Sequence, residues 1–281
     1  MPYRCQSADT NPFLEKYYYT LQHSVSLIYK SAIVTGLCRS HREMSLLALQ
    51  IRDRDNHDLP PHRLYQQWLC QNNLNYLFIS PNFDLTQFMS FDLISLGLEV
   101  TEILQQLRIN YYISGSVASS LLGEPRTTYD IDLVIDSNSE QASQLFDAFS
   151  PRFYLDPLTV AEALECHSSF NMIDNQTLGK IDIFILDSSP FHQSAFHRRA
   201  SQLIREHPQR YLCLPTPEDL ILQKLLWRKD AFGSEKQWRD ILGICKLQND
   251  RLDLNYLHEW GTTLNLSVDL HRLLQESGLI A

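Results

Sequence analysis

Apolar positions near the start of the chain recur with a helical period. Leu14, Leu21, Val25, Ile28 and Tyr29 predict a helix from Phe13 to Leu37. The charged run Arg52–Asp58, followed by Pro60-Pro61, predicts a loop, and Pro61 to Cys70 a short helix. From residue 93 the pattern becomes richer. Leu96, Val100, Ile103, Leu104 and Leu107 form one stripe of a helix from Leu93 to Leu107. Short β-branched and aromatic runs follow: Tyr111–Ile113, Ile131–Ile135 and Ile181–Ile185 predict strands. Between them, Val117–Leu122 predicts a helical turn closed by Gly123, and Glu140–Phe149 a helix. Thr216-Pro217-Glu218-Asp219 starts a further helix, with Thr as N-cap, Pro at the first position and an acid three residues on. Gly233-Ser234 interrupts it, and another helix runs from Glu235 to Leu247.

The chain therefore divides into residues 1–92, 93–215 and 216–281. The middle region alternates helix and strand, an α/β or α+β layer pattern. The last region is helical.

Composition narrows the function classes. The 281 residues are 44% apolar and 20% charged, so a sizeable core can form. Net charge is -9, which argues against a general nucleic-acid coat or a polybasic membrane binder. No run approaches the ~20 apolar residues of a membrane helix. Six scattered cysteines without a C-x-x-C pair read as reduced thiols of a cytoplasmic protein. One segment departs from the acidic balance. Residues 198–239 hold nine basic and five acidic side chains, which suits a triphosphate or an RNA backbone as well as it suits solvated helix faces.

The chemistry concentrates in Gly115-Ser116, the Asp130-Ile131-Asp132 strand and Asp182 on a later strand. Asp130 and Asp132 are two apart, so both point to one sheet face. Carboxylates that close repel each other unless a cation sits between them. Mg²⁺ fits, because it prefers carboxylate oxygens and shares its shell with phosphates and water. Asp182 can complete a three-carboxylate site for two metals about 4 Å apart. It alternates with Ile181 and Ile183, which favours it over Asp187 at the strand's end and over Asp174. Gly115-Ser116 follows a strand and opens a helix. Its N–H groups and the Ser hydroxyl can cradle phosphate oxygens. Lys224 and Arg228 share a helix face. Arg126 is read either as a tie within the Gly123–Thr128 loop or as a phosphate contact. Asp240 is read either as a salt partner of Lys236 or as part of the site.

In this order, Gly115-Ser116, Arg126-x-Thr128-x-Asp130-Ile131-Asp132, Asp182 and the Pro217-Glu218-Asp219-Leu220 helix with Lys224 resemble the DNA polymerase beta-like nucleotidyltransferase superfamily. Arg239-Asp240-Ile241 adds to the likeness. The spelling is most similar to the stand-alone nucleotidyltransferases of toxin–antitoxin and abortive-infection systems. The resemblance spans residues 94–247 and leaves 1–92 unmatched.

It implies an α+β domain with a small mixed sheet and flanking helices, a helical N-terminal extension and C-terminal helices walling the cleft. It implies transfer of a nucleoside monophosphate from an NTP to a hydroxyl of RNA, protein or a small molecule, with two Mg²⁺ ions. Asp130, Asp132 and Asp182 would hold metal, and Gly115 and Ser116 the terminal phosphates. Lys224 would face the nucleotide, with Arg126 and Arg228 as further nucleotide contacts. An antitoxin protein would be the partner of a toxin. The alternative is a catalytically silent nucleotide-binding or interaction protein on the same fold. A nucleotide-sugar glycosyltransferase using Asp130-x-Asp132 leaves Gly115-Ser116 without a role.

Overall fold

The computed structural model describes Tyr19 and residues 25–52, 91–230 and 234–280. The expected helix start at Phe13, the loop beyond Arg52, the helix from Pro61 to Cys70 and the break at Gly233 lie outside these residues. Helix α1 (Leu27–Arg52) continues well past Leu37, where the apolar pattern placed its end. Long-range contacts rather than an apolar stripe carry this continuation. Arg42 is buried, with its guanidinium 3.6 Å from the Phe91 ring centre and Nη1 donating to the Thr177 carbonyl.

Helix α2 (Leu93–Gln106) is capped by Asp92, whose carboxylate accepts the N–H groups of Ile94 and Ser95. Then come β1 (Asn110–Ile113), α3 (Gly115–Leu122), β2 (Asp130–Asp136), α4 (Ala142–Phe149), β3 (Phe153–Tyr154), α5 (Pro157–Cys166), β4 (Ser169–Asp174) and β5 (Lys180–Ile185). Helix α6 (Pro190–Arg198) leads into a hairpin of β6 (Ala200–Arg205) and β7 (Arg210–Leu214). Four helices close the chain: α7 (Pro217–Asp230), α8 (Glu235–Gln248), α9 (Leu254–Thr263) and α10 (Ser267–Ser277). Thr216 caps α7 as its sequence predicts, accepting from the Asp219 N–H.

The five-stranded sheet has the order β1-β2-β5-β4-β3. Only β2 and β5 run parallel, so the sheet is mixed and the class is α+β, as expected. Strand alternation gives its two faces opposite characters. Ile131, Leu133, Ile135, Ile181, Ile183 and Ile185 point into the main core. Each contributes about 1.5–3 kcal/mol by burial. A one-residue slip would bury the acids instead, so the register is strongly fixed. The other face carries Asp130, Asp132 and Val134 from β2, and Lys180, Asp182 and Phe184 from β5. Helix α7 lies over part of it, its Trp227 ring 6.2 Å from that of Phe184.

Helix α1 belongs to the segment expected as an extension, yet it packs on α2, α3 and β6. Lys30 Nζ donates to the Gly123 carbonyl, and the Cys38 thiol to that of Thr128. Among the described residues no helix is long and apolar enough to cross a membrane.

Candidate active site

The turn from β1 into α3 is built around one glycine. Gly115 has φ +58°, a left-handed value that favours glycine. A Cβ there would lie 1.7 Å from Asp132 Oδ2. The backbone therefore abuts the carboxylate, and any side chain there would have to displace it. Ser114 N–H donates to the Asp132 carbonyl at 2.8 Å, fixing the start of α3 beside β2. The Ser116 N–H donates to the Asp132 carboxylate.

The three acids share the sheet face beside this turn. Asp132 and Asp182 are register partners across the parallel β2–β5 pair, and Asp130 lies one pleat repeat along the same face. Burial, then the charges of Asp130 and Asp182, push the Asp132 carboxyl up to about 6, against the Ser116 N–H and the Lys224 charge. The other two acids have partners of their own. Thr128 Oγ1 donates to Asp130 at 2.7 Å, and Lys180 Nζ to Asp182 at 2.8 Å. Among the described residues, no three His, Cys, Asp or Glu side chains are gathered closely enough to hold a metal ion. The chemistry of the donor set still fits a hard divalent cation: three hard oxygen donors on one face, one of them pushed up by burial first and then by the charges of the other two.

Arg126 and Lys224 meet at Asp240, on α8. Arg126 binds both Asp240 carboxylate oxygens, at 2.7 and 2.9 Å, and its Nη2 donates to Ser116 Oγ at 2.6 Å. Lys224 is 1% exposed and donates to Asp240 at 2.8 Å and to Gln237 at 2.7 Å. Burial pushes the Lys224 ammonium below the ordinary lysine range, opposed by Asp240. Both cations hold the Asp240 carboxyl below its usual range, against burial. The partners of Asp240 are thus Arg126 and Lys224 rather than Lys236. Arg126 both ties its loop and reaches Ser116.

The remaining residues sort clearly. Arg228, one turn beyond Lys224, reaches Asp269 at 3.4 Å, with its guanidinium 4.7 Å from the Trp238 ring centre. The structure does not bring it together with the carboxylates. Asp174 is fully buried and bound by Arg152 and Thr177, and Asp187 pairs with His192. Two residues went unread in the sequence. Gln223 Oε1 accepts from Ser114 Oγ at 2.8 Å, and its Nε2 donates to the Tyr112 hydroxyl at 3.4 Å. Its signal was a lone amide inside the buried run Leu220–Leu225. Asn171 on β4 stands opposite Asp182 and was also missed.

No protein-family model matches the sequence, and no curated protein does. Among solved structures it is similar to an antigenic nucleotidyltransferase-like protein from Paracoccidioides brasiliensis, at 22% identity over 66% of this chain and 92% of that one, with a TM-score of 0.40. It is also similar to the antibiotic-resistance factor ANT(2'')-Ia, at 11% identity, 65% and 98% coverage and a TM-score of 0.42. A third is the lincosamide antibiotic adenylyltransferase LnuA with lincomycin bound, at 11% identity, 53% and 94% coverage and a TM-score of 0.36. At these identities and scores the likeness leaves family and activity to be argued from the site itself.

Proposed function

We propose that this chain is a metal-dependent nucleotidyltransferase of the polymerase beta-like type, moving a nucleoside monophosphate from an NTP to a hydroxyl. The observation that carries the reading is the meeting of Gly115 with Asp132. It sets the Gly-Ser turn that opens α3 directly against the carboxylate of Asp132, beside Asp130 and Asp182 on the same sheet face.

In this reading Asp130, Asp132 and Asp182 hold Mg²⁺, two ions by the resemblance, and the metal supplies charge neutralisation of the triphosphate. Gly115 and Ser116 bind the terminal phosphates through the backbone and the Ser116 hydroxyl. Arg126, held by Asp240, orients that hydroxyl. The acceptor oxygen bonds to the α-phosphorus, and the bond to the bridging oxygen breaks. Its electron pair leaves with pyrophosphate, and the hydroxyl's proton passes to the Asp182 carboxylate. Lys224 contributes positive charge from beneath the cradle. Arg228, which meets Asp269 and Trp238, takes no role in this reading. RNA, protein and small molecules are the acceptor classes to test, and by the resemblance an antitoxin protein is the partner to test.

A second reading, a silent nucleotide-binding protein, has two observations in its favour. Lys224 is consumed by Asp240 and Gln237, and Lys180 already pairs with Asp182.

One experiment separates the two. The protein is incubated with each α-labelled NTP and Mg²⁺, and pyrophosphate release and label transfer are followed. Transfer that is lost in Asp130→Ala supports the enzyme. Mg²⁺-dependent NTP binding without pyrophosphate release supports the silent protein. Transfer that survives Asp130→Ala overturns the assignment of the carboxylates.

A further inference from the structure

Beside the carboxylates, on the same sheet face, lies a cavity of about 230 Å³ that none of the roles above uses. Val134 and Phe184 form its floor, one pleat repeat beyond Asp132 and Asp182. That is about 6–7 Å along the strands. Trp227 walls it from α7. Its polar groups are few and fixed. The amide of Gln223 reaches from Ser114, at the cradle, to the Tyr112 hydroxyl, at the cavity. His192 lines the cavity from α6, and its Nδ1 lies 2.8 Å from Asp187 Oδ2. The carboxylate fixes the orientation of the ring through Nδ1.

The position of this cavity relative to the cradle is informative. Ser114 bonds to Asp132, whereas Tyr112 opposes Val134. The cradle therefore lies level with Asp132, and the cavity one pleat repeat further along the strand. Displacement at phosphorus is in line, so the attacking oxygen enters opposite the leaving group. With pyrophosphate over Gly115-Ser116, the incoming hydroxyl comes from the cavity side.

We propose that this cavity is the acceptor pocket and that the acceptor is a small hydroxylated molecule with a ring. The ring packs against Trp227, Phe184 and Val134, and one of its polar groups bonds to the imidazole of His192. The volume argues for a single ring system. Pockets for drug-sized ligands run to about 300–1,000 Å³, and this one falls just below. This inference rests on the nucleotidyl-transfer reading and adds the acceptor class to it.

The test uses a plug at the rim. Ser169 lines the cavity from β4 and is exposed, so Ser169→Trp fills the space without disturbing the core. Full-length wild-type and variant proteins are given α-labelled NTPs and Mg²⁺ with the low-molecular-mass, RNA or protein fraction of a cell extract. Binding of the NTP alone is measured in parallel by equilibrium dialysis. We expect label in the low-molecular-mass fraction, reduced at least about tenfold by Ser169→Trp at unchanged NTP binding. Trp227→Ala, which removes a wall instead of filling the space, gives the same loss. Label in the RNA or protein fraction overturns the pocket but leaves nucleotidyl transfer standing. So does small-molecule labelling that neither variant reduces. A fall in NTP binding with Ser169→Trp overturns it too, by making the cavity the seat of the nucleobase. No labelling of any fraction at intact NTP binding sinks the transfer reading itself.

Discussion

Asp132 sits at a fixed electrostatic disadvantage. Its folded carboxyl is pushed up to about 6, first by burial and then by Asp130 and Asp182. Between the ordinary carboxylate range and pH 6 the folded state binds more protons than the unfolded one. Stability is therefore lost as pH rises through that window and is level above it. Asp132→Asn removes the cost. In metal-free buffer the variant is expected to match wild type near pH 4. Above pH 6 it should be more stable by about 2–3 kcal/mol, from the two-unit shift. Urea unfolding across this pH range measures it, and equal stability at pH 7 would refute the electrostatic account. Adding Mg²⁺ should raise the melting temperature of wild type and leave Asp132→Asn nearly unmoved, because only an intact acid cluster binds the ion. Gly115→Ala tests the neighbouring contact. Its methyl would overlap Asp132 at a φ that alanine disfavours. The strain should cost about 1–3 kcal/mol by urea unfolding and weaken NTP binding together. Tight NTP binding by that variant would mean that the turn is not the phosphate cradle. These residues were legible in the sequence because each has a local spelling: Gly-Ser after a strand, acids alternating with Ile.

Elements two helices apart meet at Asp240, and there local spelling fails. Arg126 precedes β2, Lys224 lies on α7 and Asp240 on α8, more than a hundred residues from Arg126. From sequence alone Asp240 had an equally good partner in Lys236, one turn away. Only the packing of α7 and α8 against α3 decides. Removing the carboxylate leaves two cations without their anion, one of them fully buried. Breaking a buried pair in this way costs about 3–5 kcal/mol. Asp240→Ala should lose that much in urea unfolding, and Ser116 should lose its oriented partner. Asp240→Glu should recover part of the stability. A loss below about 1 kcal/mol, the scale of an exposed pair, would show that the network is solvated. The same physics explains which elements the sequence hid. Strands β2 and β5 are continuous Ile-rich runs, and α2 has a clean stripe. Strand β4, Ser169–Asp174, buries Phe170 and Met172 between polar residues too briefly to stand out. The β6–β7 hairpin carries Arg205 and Arg210, whose ion pairs with Asp92 and Glu102 are purely tertiary. Helix α1 outlasts its apolar pattern because Arg42 is received by Phe91 and Thr177.

At the scale of the molecule, the basic segment 198–239 takes on a definite meaning. Two readings stood level in the sequence: a surface for RNA or triphosphate, and ordinary helix faces. The structure spends most of this charge internally. Arg198 pairs with Glu218 and Asp219, Arg205 with Asp92, Arg210 with Glu102, Lys224 with Asp240 and Arg228 with Asp269. Arg199 lies 4.0 Å from the centre of the Phe196 ring. These pairs fasten the hairpin and α7 to α2, α8, α10 and the Asp92 cap. The segment's local excess of +4 is thus a set of clasps between elements rather than an open basic face. Affinity for a polyanion comes from cations that meet phosphates and release counterions, so paired arginines contribute little. With a net charge of -9, the chain is expected to show no measurable binding to unstructured RNA at about 0.15 M salt. Filter binding with labelled total RNA, repeated at low salt, measures this. Binding that persists at that salt and falls steeply as salt is added would reveal a phosphate-tracking surface. It would move the proposed acceptor from the cavity beside Asp182 to a nucleic acid.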